Sequence, residues 1–120
     1  MIFNDFKQHN FKNTLSKIDK LVELDKDDIE PIHMRGYTLF YLGKRNEGIQ
    51  LVKKYIKLKP KAANAYYNLA CFYSILGKKD LSLKNLKISI TMDSKLKENA
   101  KKDKDFDNVK NLKEFKSLVI

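Results

Sequence analysis

Apolar residues recur three and four positions apart along most of this sequence, which is the spacing of an amphipathic helix. Lysine, aspartate and glutamate occupy the positions opposite these apolar stripes, and no segment alternates convincingly between apolar and polar residues as a half-buried strand does. The pattern therefore predicts an all-α fold. The clearest stripes consist of Leu15, Ile18, Leu21 and Val22, of Ile49, Val52 and Ile56, and of Leu83, Leu86 and Ile90.

The sequence also repeats itself at a fixed interval. The tripeptide Leu-Gly-Lys at 42–44 returns at 76–78, which is 34 positions later. At the same interval, Lys53, Ile56 and Lys61 return as Lys87, Ile90 and Lys95. A fixed interval of this size indicates a helical unit that stacks on copies of itself.

The residues inside each unit follow a known pattern of aromatic, small and apolar positions. The matching residues are Ile32, Gly36, Leu39, Gly43, Gly48, Val52 and Pro60 in the first unit, and Tyr66, Leu69, Ala70, Tyr73, Gly77, Ser82 and Leu86 in the second. The sequence thus resembles a tetratricopeptide repeat protein, whose helix-turn-helix unit is about 34 residues long. The resemblance implies an α-solenoid, a right-handed stack of antiparallel helix pairs. Arg35, Tyr55, Ser89 and Ser94 depart from the family pattern.

The resemblance also implies how the chain is divided. We expect one domain over residues 1–120, with a partial repeat at 1–28, full repeats at 29–62 and 63–96, and a capping segment at 97–120. The partial repeat would consist of a first helix trimmed to Met1 to about Gln8 and a complete second helix from Phe11 through Leu24-Asp25. The capping segment is similar to the one that closes many bacterial tetratricopeptide proteins, and its stripe of Phe115, Leu118 and Val119 could cover the last repeat.

Small residues mark the places where helices end or approach closely. Gly43 and Gly77 each follow a leucine at a predicted helix end, where a left-handed residue terminates a helix without a Cβ penalty. Glycine, alanine or serine is needed where paired helices cross, because a larger side chain would hold the backbones apart. The residues at these crossings are Gly36, Gly48, Ala70 and Ser82.

Composition narrows the class of function. The chain has 120 residues, 25 Lys+Arg against 15 Asp+Glu, a net charge of +10 and one cysteine, Cys71, so it can form no internal disulfide. It shows no secretory signal and no apolar stretch long enough to span a membrane, and we expect a cytoplasmic protein. With His9 and His33 as its only histidines and no glycine-rich phosphate loop, it predicts no enzyme, no cofactor and no metal site.

In the tetratricopeptide family, the first helix of each unit lines a concave groove. Mapped onto this sequence, the groove is aromatic and mildly polar, a composition that suits a peptide or a helix of a partner protein. The alternative is that its aromatic residues pack inside the protein and that Cys71 is a small buried hydrophobe. The residues expected in the groove are His33, Tyr37, Phe40, Tyr41, Tyr67, Asn68, Cys71 and Ile75.

The lysines predict a second surface, on the convex side formed by the second helices. It is either a solvated face or a surface that follows phosphate groups of nucleic acid or anionic lipid. The scarcity of arginine and of interleaved aromatic residues weakens a base-reading role. This basic surface consists of Lys44, Arg45, Lys53, Lys54, Lys57, Lys78, Lys79, Lys84 and Lys87.

These observations favour a small adaptor that binds an unidentified protein or peptide in its groove. Two alternatives remain open. The first is a self-associating scaffold, in which a second copy completes the shortened opening repeat with its Phe3 and Phe6. The second is an electrostatic binder of nucleic acid or anionic lipid, which the net charge motivates.

Overall fold

The computed structural model describes residues 11–120, with side chains from Lys12 onward. Every regular element in this range is helical, and no strand occurs in it, as the apolar spacing predicts. A single 3₁₀ turn at Lys104–Phe106 lies between α6 and α7. The α-helices are α1 (Phe11–Leu24), α2 (Glu30–Tyr41), α3 (Arg45–Leu58), α4 (Ala63–Ile75), α5 (Lys79–Met92), α6 (Leu96–Lys102) and α7 (Lys113–Leu118).

The repeat in the sequence appears directly in the helix boundaries. Helices α1, α3 and α5 each have 14 residues. Their first residues are Phe11, Arg45 and Lys79, so each helix begins 34 residues after the one before. The second helix predicted for the partial repeat, from Phe11 through Leu24-Asp25, is present as α1 and ends one residue earlier, at Leu24. The first helix expected at Met1 to about Gln8, with Phe3 and Phe6, lies outside the described residues.

Both predicted glycine turns terminate a helix in the same way. Gly43 has a φ of 98° and Gly77 a φ of 76°, which is the left-handed region. At the first turn, the backbone N–H of Gly43 donates to the carbonyl of Phe40 (3.1 Å), and that of Lys44 donates to the carbonyl of Leu39 (2.9 Å). Gly77 and Lys78 make the equivalent bonds, at 3.0 and 2.8 Å. This pair of bonds is the Schellman motif, and it satisfies the last carbonyls of α2 and α4.

The chain divides into two compact units, Met1–Lys59 and Pro60–Ile120. In the first unit, α2 and α3 pack so closely that only glycine fits at their crossing. A Cβ on Gly48 would lie 2.5 Å from the carbonyl oxygen of Gly36 and 2.7 Å from the backbone nitrogen of Phe40. The buried side chains around this crossing include Phe40 and Val52, both with no exposed surface.

Helix α1 packs on α2 in the same unit, and this contact accounts for one departure from the family pattern. Arg35, which stands where the family has leucine, forms an ion pair with Asp19 of α1. Thr14 and Ile18 of α1 are fully buried. An ion pair on the surface of α1 and α2 thus accompanies the apolar contact beneath it.

In the second unit, α4 and α5 repeat the crossing of α2 and α3 with slightly larger residues. Ala70 and Ser82 occupy the places of Gly36 and Gly48, and the Ser82 hydroxyl donates to the carbonyl of Ala70 at 2.7 Å. The small residue on α5 therefore adds a buried hydrogen bond where the first unit has a bare glycine contact. All four small residues lie where the sequence predicts a close approach.

The closing segment, residues 97–120, completes the core of the second unit. Phe115 and Val119 lie in the same buried cluster as Leu86 and Ile90 of α5, and Leu118 packs against it. Phe106 and Val109 are fully buried there as well. The 3₁₀ turn at Lys104–Phe106 precedes α7, which begins at Lys113.

Candidate functional site

The predicted groove residues of the first unit lie on α2, and they fall into two groups. Phe40 is fully buried, so the expectation that it lines a groove is wrong. Its ring lies 4.3 Å from the guanidinium carbon of Arg45 and is enclosed at the crossing of α2 and α3. His33, Tyr37 and Tyr41 are partly exposed, and we refer to these three residues as the α2 aromatic face.

Tyr37 and Tyr41 are neighbours one turn apart on this face. Their ring centroids are 4.8 Å apart with an interplanar angle of 52°. The edge of Phe40 packs against Tyr41, with centroids 5.4 Å apart. A buried phenylalanine thus supports a partly exposed pair of tyrosines, and rigid amphipathic rings of this kind are common in protein-binding surfaces.

A charged network fixes the third residue of the face. The ring of His33 stacks on that of Tyr55 of α3, with centroids 4.8 Å apart and an interplanar angle of 22°. The Tyr55 hydroxyl donates to both carboxylate oxygens of Glu30, at 2.9 and 2.7 Å, and the Lys59 ammonium donates to one of them at 2.9 Å. Tyr55 departs from the small residue of the family pattern, and its hydroxyl ties the end of α3 to the start of α2.

The same network sets the ionisation of its members. Burial lowers the pKa of His33 to about 4, although the nearby Glu30 carboxylate acts against this shift. Burial alone would raise the pKa of Glu30, but the hydrogen bonds from Lys59 and Tyr55 outweigh it and lower that pKa. At neutral pH the imidazole of His33 is therefore uncharged, and it presents a neutral ring on the aromatic face.

In the second unit, the closing segment covers the equivalent face of α4. Tyr67 and Cys71 are only 8% and 2% exposed, so the expectation that they line an open groove is wrong. The Tyr67 hydroxyl donates to Asp103 Oδ2 at 2.9 Å, and the ring of Tyr67 meets that of Phe106 edge-on at 5.5 Å between centroids. Both contacts come from the 3₁₀ turn and the residue before it, which fold back onto α4.

The remaining groove residues of the second unit, Asn68 and Ile75, are partly exposed. Asn108 of the closing segment approaches the same helix further along, where its side-chain amide donates to the carbonyl of Ser74 at 2.8 Å. The closing segment therefore contacts α4 at several points along its length. Within the second unit, much of the face that the family uses as a groove is occupied by the chain itself.

Cys71, Asp103 and Asp105 place three potential metal-ligand atoms within 4.8 Å of one another. A cysteine binds metal as a thiolate. Here the Cys71 thiol donates to Asp103 Oδ2 at 3.8 Å, and burial together with the nearby carboxylates raises its pKa well above the usual value. The thiol therefore keeps its proton, and these groups act as a hydrogen-bonded anchor for the closing segment.

The predicted basic surface is largely accessible. Arg45 is only partly exposed, because its guanidinium group covers the ring of Phe40. Every other residue in this set is exposed, namely Lys44, Lys53, Lys54, Lys57, Lys78, Lys79, Lys84 and Lys87.

Two matches to known protein families agree with this architecture. Tetratricopeptide repeat families match residues 29–62 and residues 51–84. The first match covers the helix pair α2 and α3, with the same boundaries that the sequence predicts for the first full repeat. Residues 29–84 thus consist of tetratricopeptide repeats. No curated protein sequence matches it.

The second tetratricopeptide match begins inside α3 and ends inside α5. Its start therefore does not coincide with a repeat boundary. It covers the second half of α3, all of α4 and the beginning of α5. The all-α tetratricopeptide fold that the sequence predicts is confirmed. Repeats of this family generally mediate protein–protein interaction. No helix within residues 11–120 is both long enough and apolar enough to cross a membrane.

One feature of the second unit is not predicted directly by the sequence. Lys84 and Lys87 of α5 line an open cleft of about 590 Å³ together with Lys113 of α7. The sequence assigns the first two to a basic surface but gives no sign that Lys113 joins them, because residues 93–112 intervene and their path depends on packing. The only available signal was the predicted cover of the last repeat by Phe115 and Leu118, whose helix also carries Lys113.

Proposed function

We propose that this tetratricopeptide repeat protein is a non-enzymatic interaction module that binds a peptide or helix of a partner protein through the α2 aromatic face. The observation that carries the proposal is the partly exposed pair of Tyr37 and Tyr41, which is supported from below by Phe40. Family membership supports protein binding in general. The partly exposed rings supply apolar area, and their hydroxyl groups supply hydrogen bonds to a peptide backbone.

The proposal narrows the groove expected from the sequence. Tyr67 and Cys71 are engaged by the closing segment, so the predicted groove aromatics that remain accessible lie in the first unit. His33 belongs to the proposed face because its ring is held by Tyr55 and is neutral at physiological pH. A neutral face of this kind favours apolar or aromatic side chains of the partner.

The test is affinity capture from the native cell with the double variant Tyr37→Ala/Tyr41→Ala. The matched control is Tyr66→Ala, which removes a partly exposed tyrosine of α4 that has no place on the face. We expect the wild type and Tyr66→Ala to retain the same protein and the double variant to lose it, while the helical circular dichroism of all three stays equal. Retention of that protein by a folded double variant would refute the proposed face.

Cytoplasmic location, self-association and binding of nucleic acid or lipid by the basic surface stay predictions. The α3 lysines are exposed, but this exposure is expected both for a surface that binds nucleic acid or lipid and for one that is only solvated. The double variant also separates this alternative from the proposal, because electrostatic binding by α3 lysines would survive the loss of both tyrosines.

A further inference from the structure

The second unit contains an open cleft of about 590 Å³ between α5 and α7. One wall comes from α5, where Asp80, Leu83, Lys84 and Lys87 follow the spacing of a single helix face. The other wall comes from α7 and holds four residues. They are Lys113, Glu114, Ser117 and Leu118.

The lysines of this cleft have no partner within the described part of the chain. Lys84, Lys87 and Lys113 form no ion pair or side-chain hydrogen bond with any residue of 12–120. Other exposed lysines do, as the pairs Lys101–Glu98 and Lys110–Asp107 show. Three lysines and two acids line the cleft, so its net charge is +1, and the three ammonium groups that form no ion pair are available to an anionic ligand.

The two acids of the cleft have a structural role of their own. Asp80 lies in the first turn of α5 and Glu114 in the first turn of α7. Carboxylates at these positions are favoured by the positive end of the helix dipole. Both carboxylates repel an anionic ligand, so a bound segment must place its negative charges near the lysines and away from these two acids.

The floor of the cleft is apolar. Leu83 is 7% exposed and belongs to the core of the unit, and Leu118 packs against that core. A ligand that fills the cleft therefore needs an apolar side chain between its negative charges. Ion pairs at an exposed rim are individually weak, so the apolar contact must supply a large part of the affinity.

We infer that this cleft is a docking site for an acidic amphipathic segment of a partner protein, with a leucine or phenylalanine seated over Leu83 and Leu118 and carboxylates paired with Lys84, Lys87 and Lys113. This site is separate from the α2 aromatic face and goes beyond the proposed function. The net positive charge and the apolar floor together favour an acidic amphipathic peptide, whose charges are separated by apolar side chains, over a nucleic acid with its continuous phosphate backbone.

The probe is a fluorescein-labelled helical peptide with leucines at i, i+3, i+4 and i+7 and glutamates at most other positions, and the readout is fluorescence anisotropy. We expect Lys84→Gln/Lys87→Gln/Lys113→Gln to weaken binding by about tenfold, since three rim ion pairs are lost. The matched control removes three lysines of α3, Lys53→Gln/Lys54→Gln/Lys57→Gln, and should bind as the wild type does. A second variant, Ser117→Trp, fills the cleft without changing its charge and should also abolish binding.

Further probes test whether the cleft binds another class of ligand instead. A peptide with serines in place of the leucines should lose most of its affinity at the same net charge, and a random DNA duplex and phosphatidylserine vesicles should not compete with the labelled peptide. The inference is overturned by equal losses in both lysine triples, by unchanged binding to Ser117→Trp, by no peptide binding at all, or by displacement of the peptide by the duplex or vesicles. The Tyr37→Ala/Tyr41→Ala variant should retain the peptide, so this site and the aromatic face can fail independently.

Discussion

At the scale of single residues, the contact between α2 and α3 shows how little space the fold leaves at its helix crossings. Gly48 faces backbone atoms of α2 on the opposite side of the crossing, and backbone cannot move aside as a flexible side chain can. The equivalent pair in the second unit, Ala70 and Ser82, shows that a slightly wider crossing is compatible with the same repeat. The glycine pair is therefore a feature of the first unit, and it sets how closely α3 packs on α2.

The substitution Gly48→Ala should destabilise the protein. Its Cβ would lie 2.5 Å from the carbonyl oxygen of Gly36, which forces the helices apart. Overpacking of this kind costs about 1–3 kcal/mol, and the higher helix propensity of alanine offsets up to about 1 kcal/mol of it. We expect a net decrease of about 1–2 kcal/mol in the free energy of unfolding, measured by urea denaturation. Asn46→Ala, at an exposed position of the same helix, is the control, and equal midpoints for both variants would contradict the prediction.

His33 should make the stability of the protein depend on pH. Burial lowers its folded-state pKa to about 4, whereas the unfolded-state value is about 6.5. The unfolded chain therefore binds a proton between these values and the folded protein does not, so stability is complete above about pH 6.5 and decreases as the pH falls toward 4. Glu30, whose pKa is lowered, acts in the same direction at still lower pH, as its carboxylate becomes protonated.

The variant His33→Phe keeps a ring against Tyr55 but cannot be protonated. Between pH 7 and pH 5 the wild type should lose up to about 2 kcal/mol more of its free energy of unfolding than the variant, because each pH unit below the unfolded-state pKa corresponds to about 1.4 kcal/mol. Urea denaturation of both proteins at each pH measures the difference. His9 is present in both, so its contribution cancels, and parallel pH profiles would refute the assignment to His33.

At the scale of the elements, the side-chain pattern predicts helices well because each helix is governed by local spacing. The stripes that begin at Leu15, Ile49 and Leu83 lie on α1, α3 and α5, and the helices themselves are offset by 34 residues. The turns after α2 and α4 are equally predictable, because glycine adopts the left-handed conformation of Gly43 and Gly77 without steric penalty wherever it occurs. Both signals depend only on residues a few positions apart in the sequence.

The candidate sites were less predictable, because they depend on contacts between residues far apart in sequence. Tyr67 and Cys71 occupy groove positions by the repeat register, yet Asp103 and Phe106 fold back and bury them. Lys113 joins Lys84 for the same reason, since α7 lies against α5. The packing of its own apolar residues decides which surface the closing segment covers. The repeat period of the sequence does not predict this surface.

The closing segment should be essential to the stability of the second unit. Phe106 is fully buried, and its ring contacts those of Tyr67 and Phe115 at 5.5 Å between centroids. Phe106→Ala should therefore lower the free energy of unfolding by about 3–5 kcal/mol. The control is Lys104→Ala, an exposed change in the same 3₁₀ turn.

Cys71 provides an independent measurement of the same change. It is the only thiol of the chain, it is 2% exposed beneath the 3₁₀ turn, and its pKa is raised by burial. We expect slow labelling of the native protein by a thiol reagent and labelling at least about 100-fold faster in Phe106→Ala, because each 1.4 kcal/mol of lost stability raises the open population about tenfold. Equal labelling rates in Phe106→Ala and Lys104→Ala would show that the segment does not protect α4.

At the scale of the whole molecule, the two units serve different purposes in the proposals. The first unit presents the partly exposed tyrosines of α2, while the second unit has its equivalent face covered and presents the cleft between α5 and α7. The same helical repeat thus offers an uncharged aromatic surface in one unit and a cationic cleft in the other. A chain of this size can carry both because each surface needs only two neighbouring helices.

The burial of equivalent positions predicts a gradient of stability along the chain. Val22 of α1 is 37% exposed, whereas Ile90, its equivalent in α5, is 7% exposed. Leu21 is 39% exposed, and the serine at its equivalent position in α5, Ser89, is fully buried. In a repeat protein each helix is stabilised by its immediate neighbours, so α1 should open more often than α5.

Native-state hydrogen exchange measures this gradient directly. After correction for intrinsic exchange rates, amides in the last two turns of α1 should exchange about two- to fivefold faster than those of the same positions in α5, because Val22 is 37% exposed and Ile90 only 7%, and complete burial of a side chain of this size is worth about 1.5–3 kcal/mol. Leu24→Lys serves as a control within α1: Leu24 is already 83% exposed, so its replacement should leave the exchange pattern unchanged. Equal protection of α1 and α5, or a strong effect of Leu24→Lys, would mean that α1 is held by contacts other than those described between α1 and α2.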